Sequence, residues 1–150
     1  MAHPSDSSVQ VEAEAIIRDK VAALLGTALA PATVTFNTGA PMQVNGAAVD
    51  ESVLIEIFAR QGRLKAGQQK KVALDAFKLI TLRRSRPDAR LILAFADADA
   101  AASARGNGWL AQALAIWGVE VLIVDLDDEL RDEIRAAQRL QDMRNVSLPA

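Results

Sequence analysis

The 150-residue chain is 51% hydrophobic and 24% charged with a net charge of −2, which excludes a disordered polymer and suffices for one buried core. With no cysteine and a single histidine, His3, it cannot build disulfides, thiolate metal sites, Ser-His-Asp or Cys-His catalysis, or multi-histidine zinc sites. A metal here must rest on oxygen ligands, which points to magnesium, manganese or calcium.

The start, Met1–Ser8, is polar, carries Pro4 and lacks the apolar segment of a signal peptide. No apolar run is long enough to cross a bilayer. The expectation is one cytoplasmic domain over 1–150, without a membrane partner and with flexible tails at 1–8 and 145–150. Ser7 or Ser8 can cap a helix from Val9 to about Leu25, which Gly26 ends. Ile17, Val21, Leu24 and Leu25 form its apolar stripe, and Glu14 shares that stripe, an acid on a face expected to be buried.

Thr33–Phe36 alternates as a short strand after the break at Pro31, and Asn37-Thr38-Gly39 reads as a turn. Met42–Val49 continues as a strand bent at Asn45-Gly46, and Asp50-Glu51-Ser52 connects it to Val53–Arg60. These three strands are expected to form an antiparallel meander. Within the last of them a lone carboxylate, Glu56, interrupts the apolar run Val53 to Ala59, and such a group is costly unless a hydrogen bond, a cation or a metal compensates it. Asp50 and Glu51 precede it and Lys65, Lys70 and Lys71 follow. Carboxylates on adjacent strands, with lysines entering a helix, can hold a divalent cation against a phosphate.

Gln61–Gly67 is a basic, glycine-punctuated loop without the Walker order. A helix is expected from Gln68 to about Arg84, with Val72, Ala76, Leu79 and Ile80 inward and Lys71, Asp75 and Lys78 on its exposed side. Leu91–Ala96 is a fully apolar strand, Trp109–Trp117 a helix, and Val119–Leu126 a second buried strand parallel to the first. Glu129 to about Met143 closes the chain as a helix with Leu130, Ile134, Ala137 and Leu140 or Gln141 on its apolar face. The order α-β-β-β-α-β-α-β-α predicts an α/β sandwich with a mixed sheet.

Charge is polarised along the chain. Arg60 to Arg90 holds ten bases against two acids, a net +8, whereas Glu120 to the end is −4. Either this segment presents a face suited to polyanions, or its charges solvate a surface and pair with the acidic C-terminal helix.

The stretch around Ile55-Glu56-Ile57-Phe58, with Gln68, Lys70 and Lys71 at the start of the next helix, resembles the core of the PD-(D/E)XK nuclease superfamily. The likeness in element order covers roughly Val9 to Leu126. It implies the restriction-endonuclease-like fold, a three-layer α/β/α sandwich, and Mg²⁺- or Mn²⁺-dependent hydrolysis of phosphodiester bonds in nucleic acid. On that likeness Glu56 and Asp50 bind the metal with help from Glu14, and Glu56 is expected within reach of Asp50 first and Glu14 next. Lys71 or Lys70 acts with them, Gln68 opens the helix, and Arg60, Arg63, Lys65, Lys70 and Lys71 contact nucleic acid; a homodimer is compatible with this set.

Two residues depart from the pattern. Phe58 stands where the family carries its lysine, so Lys70 or Lys71 has to substitute from the helix, as in some members of the family. The upstream acid is either Asp50 or the position of Asn45, where an amide replaces it. If no lysine substitutes, the same fold serves as a non-enzymatic nucleic-acid-binding or protein-interaction module. A small-ligand domain built on the segment after Phe95 is a third class, and it lacks the glycine fingerprint such domains use.

Overall fold

A computed structural model describes residues 6–147. Its elements are α1 (Asp6–Leu25), β1 (Ala30–Thr35), β2 (Pro41–Ala47), β3 (Val53–Phe58), α2 (Ala66–Arg83), β4 (Arg90–Phe95), α3 (Ala102–Arg105), α4 (Trp109–Ile116), β5 (Val119–Ile123) and α5 (Asp128–Ser147). The first and last helices extend into the expected tails, because residues 6–8 and 145–147 are helical. Ser7 and Ser8 therefore lie inside α1 and not at the position before it; the rest of both tails, 1–5 and 148–150, with His3, falls outside the described residues.

One five-stranded sheet runs in the order β1-β2-β3-β4-β5. The first three strands pair antiparallel, as the turn signals predict, and β3-β4-β5 pair parallel. The protein is thus an α/β fold with a mixed sheet. Pro31, with no N–H to donate, sits on the edge strand β1, where the register with β2 shifts between Ala30 and Ala32. The break expected at that proline is a bulge inside the strand.

The sheet separates two cores. On one face Leu54 and Phe58 of β3 meet Val72, Ala76, Leu79 and Leu82 of α2. On the other, Val53, Ile55 and Ile57 meet Val9, Ala13, Ile17 and Val21 of α1 and Leu130 and Ile134 of α5. Helices therefore cover both faces, an arrangement compatible with three layers. The stripe of α1 recurs every four residues from Val9 to Val21 and leaves Leu24 68% exposed, so Leu24 is not part of it. Gly26 ends the helix at φ 64°, a left-handed conformation that glycine adopts without a Cβ penalty.

β3 is central, and all six of its residues are buried. Because side chains alternate along a strand, Glu56 lies between Leu54 and Phe58 on the α2 face. Gly46 of β2, opposite Ile55, is the closest backbone approach in this region: a Cβ there would lie 2.8 Å from Ile55 Cγ1 and 3.3 Å from Arg18 Cδ. Gly46→Ala should consequently destabilise the fold by about 1–3 kcal/mol through overpacking. A urea midpoint shift checks this; an unchanged midpoint would mean that Ile55 has room to yield.

Candidate functional site

The β2–β3 ladder ends at the Gly46–Ile55 pair, and beyond it the two strands separate. Asn45 fills the gap with its side chain. Its Oδ1 accepts the Ile57 N–H at 2.8 Å, while its own N–H donates to Glu56 Oε1 at 3.4 Å. β2 continues with β1 alone. The divergence opens a polar cleft of about 580 Å³ bounded by α1, the ends of β2 and β3, and α2. Glu14 and Arg18 line it from α1, Asn45 from β2, Glu56 from β3, and Lys71, Asp75 and Lys78 from α2.

At its floor Glu56, 3% exposed, forms an ion pair with Lys78, Oε1 to Nζ 2.9 Å. The same ammonium donates to the Gln43 carbonyl at 2.9 Å, tying α2 to β2. One turn back on α2, Lys71 Nζ meets Asp75 Oδ2 at 2.8 Å. One acid–base pair thus joins the helix to the strand, and a second runs along α2 beside it. Burial pushes the Glu56 carboxyl above its ordinary value of 4.5; the hydrogen bond and charge of Lys78 pull it back, and the negative charge of Asp75 pushes it up again. The net direction is upward, so this carboxyl exchanges its proton closer to neutrality than a solvated one.

The sequence-expected residues divide sharply. Glu56 is at the centre and Glu14 is on the wall, its Oε1 accepting from Gln10 Nε2 at 3.1 Å. Asp50 is not in the site. It occupies the β2–β3 turn before the amino end of β3, fully exposed, where Oδ1 accepts the Ser52 N–H at 3.1 Å and the Ser52 hydroxyl at 2.6 Å. Those bonds hold its carboxyl below the usual value. The reason is register: Asn45, next to the paired Gly46, faces Glu56 across the strands, and the turn acid lies five positions further along the chain.

Lys71 lines the cleft, with Nζ also 5.5 Å from the centroid of Phe58, whose ring stacks on Phe95 at 4.8 Å. Lys70, one residue earlier, is exposed and outside the cleft lining. Gln68 caps the first turn of α2 by accepting the Lys65 N–H at 2.8 Å. The cation against Glu56 is neither Lys70 nor Lys71 but Lys78.

Lys78 and Asp75 are the residues that sequence reasoning missed. The spacing Lys71-Asp75-Lys78 marks one helix face, and polarity assigned that face to solvent. In the structure Asp75 is 8% exposed and Lys78 turns inward with it, while Lys71 stays exposed as expected. The usable signal was Glu56 itself, since a carboxylate in a buried strand requires a polar surface opposite.

The basic segment is largely answered within the fold. Arg60 and Lys65 approach Asp142 of α5 at 3.8 and 3.7 Å, Arg86 binds Glu51 at 2.8 Å, and Arg90 forks onto Glu120 at 2.9 and 2.7 Å. Arg83 donates to the Trp117 and Gly118 carbonyls. Among the described residues Arg63, Lys70 and Arg84 have no acidic partner, so the +8 of the sequence becomes a much weaker surface charge.

No protein family, curated protein or solved structure matches this chain. Among the described residues no group of three acidic or histidine side chains is close enough to hold a metal ion, and no helix is long and apolar enough to cross a membrane.

Two outcomes follow from the Glu56–Lys78 pair. Lys78→Met strands a buried carboxylate and should cost about 3–5 kcal/mol at neutral pH, whereas Glu56→Gln with Lys78→Met should recover most of the loss. Equal destabilisation by the single and double variants, read from urea unfolding, would mean the pair is not coupled. The second outcome concerns pH. A carboxyl whose folded value lies above 4.5 favours the fold below 4.5, and that contribution is lost as pH rises through the folded value. Wild-type stability minus that of Glu56→Gln should therefore fall between 4.5 and neutrality; a difference that rises over this range would contradict the direction.

Proposed function

We propose that this chain is a nuclease-like protein that hydrolyses phosphodiester bonds of nucleic acid with Mg²⁺ or Mn²⁺, on a scaffold resembling the restriction endonucleases. The observation that carries the reading is the Glu56–Lys78 pair at the floor of an open polar cleft. It brings an acid and an amine together from strand and helix, in place of the acid and lysine that the resembled family carries two residues apart on one strand. Lys78 thereby takes the part that Phe58 cannot.

Mg²⁺ commonly takes one or two carboxylates and completes its shell with water and substrate phosphate oxygens. A pair of acids, Glu56 and Asp75, fits that pattern, and the lack of a three-acid group among the described residues excludes only a dedicated protein cage. The cation, when bound, supplies Lewis acidity toward a phosphoryl oxygen and toward water. The chain's own side chains do the rest. Lys78 neutralises charge beside Glu56, Lys71 and Arg18 offer donors to phosphate oxygens, and Asn45 holds the strands apart so that a backbone can enter.

A second reading, a non-enzymatic nucleic-acid-binding or protein-interaction module, is favoured by the self-satisfaction of the Glu56–Lys78 pair and by the amide at Asn45. Cleavage of single-stranded DNA, duplex DNA and RNA with Mg²⁺ or Mn²⁺ decides between them. Glu56→Gln and Lys78→Met should each reduce cleavage by roughly a hundredfold or more, the scale of a lost electrostatic stabiliser. Cleavage that survives Glu56→Gln, or no wild-type cleavage of any substrate, would overturn the hydrolytic reading and leave the binding module.

A further inference from the structure

A second pocket, about 260 Å³, lies at the carboxyl end of β3 between the first turns of α1 and α2 and the middle of α5. It adjoins the cleft, since Gln10, Ile57 and Lys71 line both. Its size falls below the roughly 300–1,000 Å³ of sites for drug-sized ligands and suits one heterocycle. Ile57, Leu64 and Ile134 give it apolar walls. The α5 wall is fixed in place: Gln138 exchanges two hydrogen bonds with the Gln61 backbone, at 2.7 and 2.9 Å, and Arg131 holds the Gln61 side chain at 2.6 Å.

Of the four side-chain amides lining this pocket, those of Gln68 and Gln10 are each committed at one end. Gln68 spends its Oε1 on the Lys65 N–H, and among the described residues its Nε2 has no partner. Gln10 spends its Nε2 on Glu14, and its Oε1 has none. Beside Gln138 and Gln141 of α5, the pocket therefore presents a free donor from Gln68 and a free acceptor from Gln10 above apolar walls. Two cations, Arg60 and Lys71, stand beside them.

We propose that this pocket receives an unpaired nucleobase of a single strand whose phosphate lies in the adjoining cleft. This rests on the phosphodiester reading of that cleft. A nucleotide carries the three features the pocket complements: flat apolar faces, a hydrogen-bonding edge and an adjacent anion. Every base offers both donor and acceptor capacity along its exposed edges once it is unpaired, so the pocket selects for unpairing and not for base identity. A stacked duplex base cannot enter a concave pocket without leaving the helix. The long Arg60–Asp142 contact, 3.8 Å, leaves that guanidinium free to exchange its acid for a phosphate.

Fluorescence anisotropy in the presence of a chelator tests this with a labelled single strand of about twelve nucleotides, the same strand with abasic residues throughout, and the duplex. The intact strand should bind roughly tenfold or more tightly than the abasic one, and more tightly than the duplex. Ala137→Trp, which fills the pocket from α5, should make intact and abasic strands equal. Gln68→Leu, which removes the donor and is less demanding sterically, should weaken only the intact strand. Equal wild-type binding of intact and abasic strands, or preference for duplex, overturns the proposal. Displacement by a free nucleoside monophosphate as effective as the strand would overturn the strand as occupant. Base-dependent binding without cleavage would sink the hydrolytic reading and leave the pocket standing; cleavage with equal binding does the reverse. Absence of binding to any strand overturns both.

Discussion

The ion pair between Glu56 and Lys78 is the constraint on which the rest of this structure depends. A carboxylate in the middle of a buried central strand has little water to solvate it, and a partner on the facing element compensates it there. That requirement turns Asp75 and Lys78 of α2 toward the strand, beside the apolar Val72, Ala76 and Leu79 that the helix packs against the sheet. It also accompanies the separation of β2 from β3, because Asn45 bonds the Ile57 N–H with its side chain where a strand would have used its backbone. A fold built for stability alone would place a leucine at position 56 and keep the ladder closed.

The same pair explains what could be read from sequence and what could not. The meander, the parallel strands and the order of elements follow from local signals: apolar runs of strand length, turn residues, and the apolar recurrence along the helices. Glu56 was legible as an anomaly for the same reason. Its surroundings were not, because they depend on register and rotation, two properties that single-sequence patterns leave undetermined. Asp50 is five residues from Asn45 in sequence, yet only one of them faces Glu56, and the end of the β2–β3 ladder decides which. Of the face assigned outward, Lys71 is exposed as expected, whereas Asp75 and Lys78 turn toward the strand. The four-residue α3 carries no periodicity long enough to be recognised.

Charge tells a parallel story. The basic segment and the acidic C-terminal stretch look like opposite poles along the chain, but the fold brings several members of each into contact. Arg60 and Lys65 near Asp142, and Arg90 on Glu120, neutralise much of what the sequence suggests is a polyanion surface. These contacts are exposed and long in two of the three cases, so they contribute little to stability and can yield to a stronger anion. The cation that matters most to the site is Lys78, at the floor of the cleft, where lower polarity makes its charge count for more.

The proposed function requires the cleft to hold a divalent cation against a phosphodiester, with Glu56 as its protein anchor. Crystals grown with a short single strand and Mn²⁺ test it most directly through anomalous scattering. One peak is expected within coordination distance of the Glu56 carboxylate, with a strand phosphate on the opposite side and Lys78 displaced toward it. A strand bound in the cleft with the Glu56–Lys78 pair intact and no anomalous peak beside it would contradict the claim.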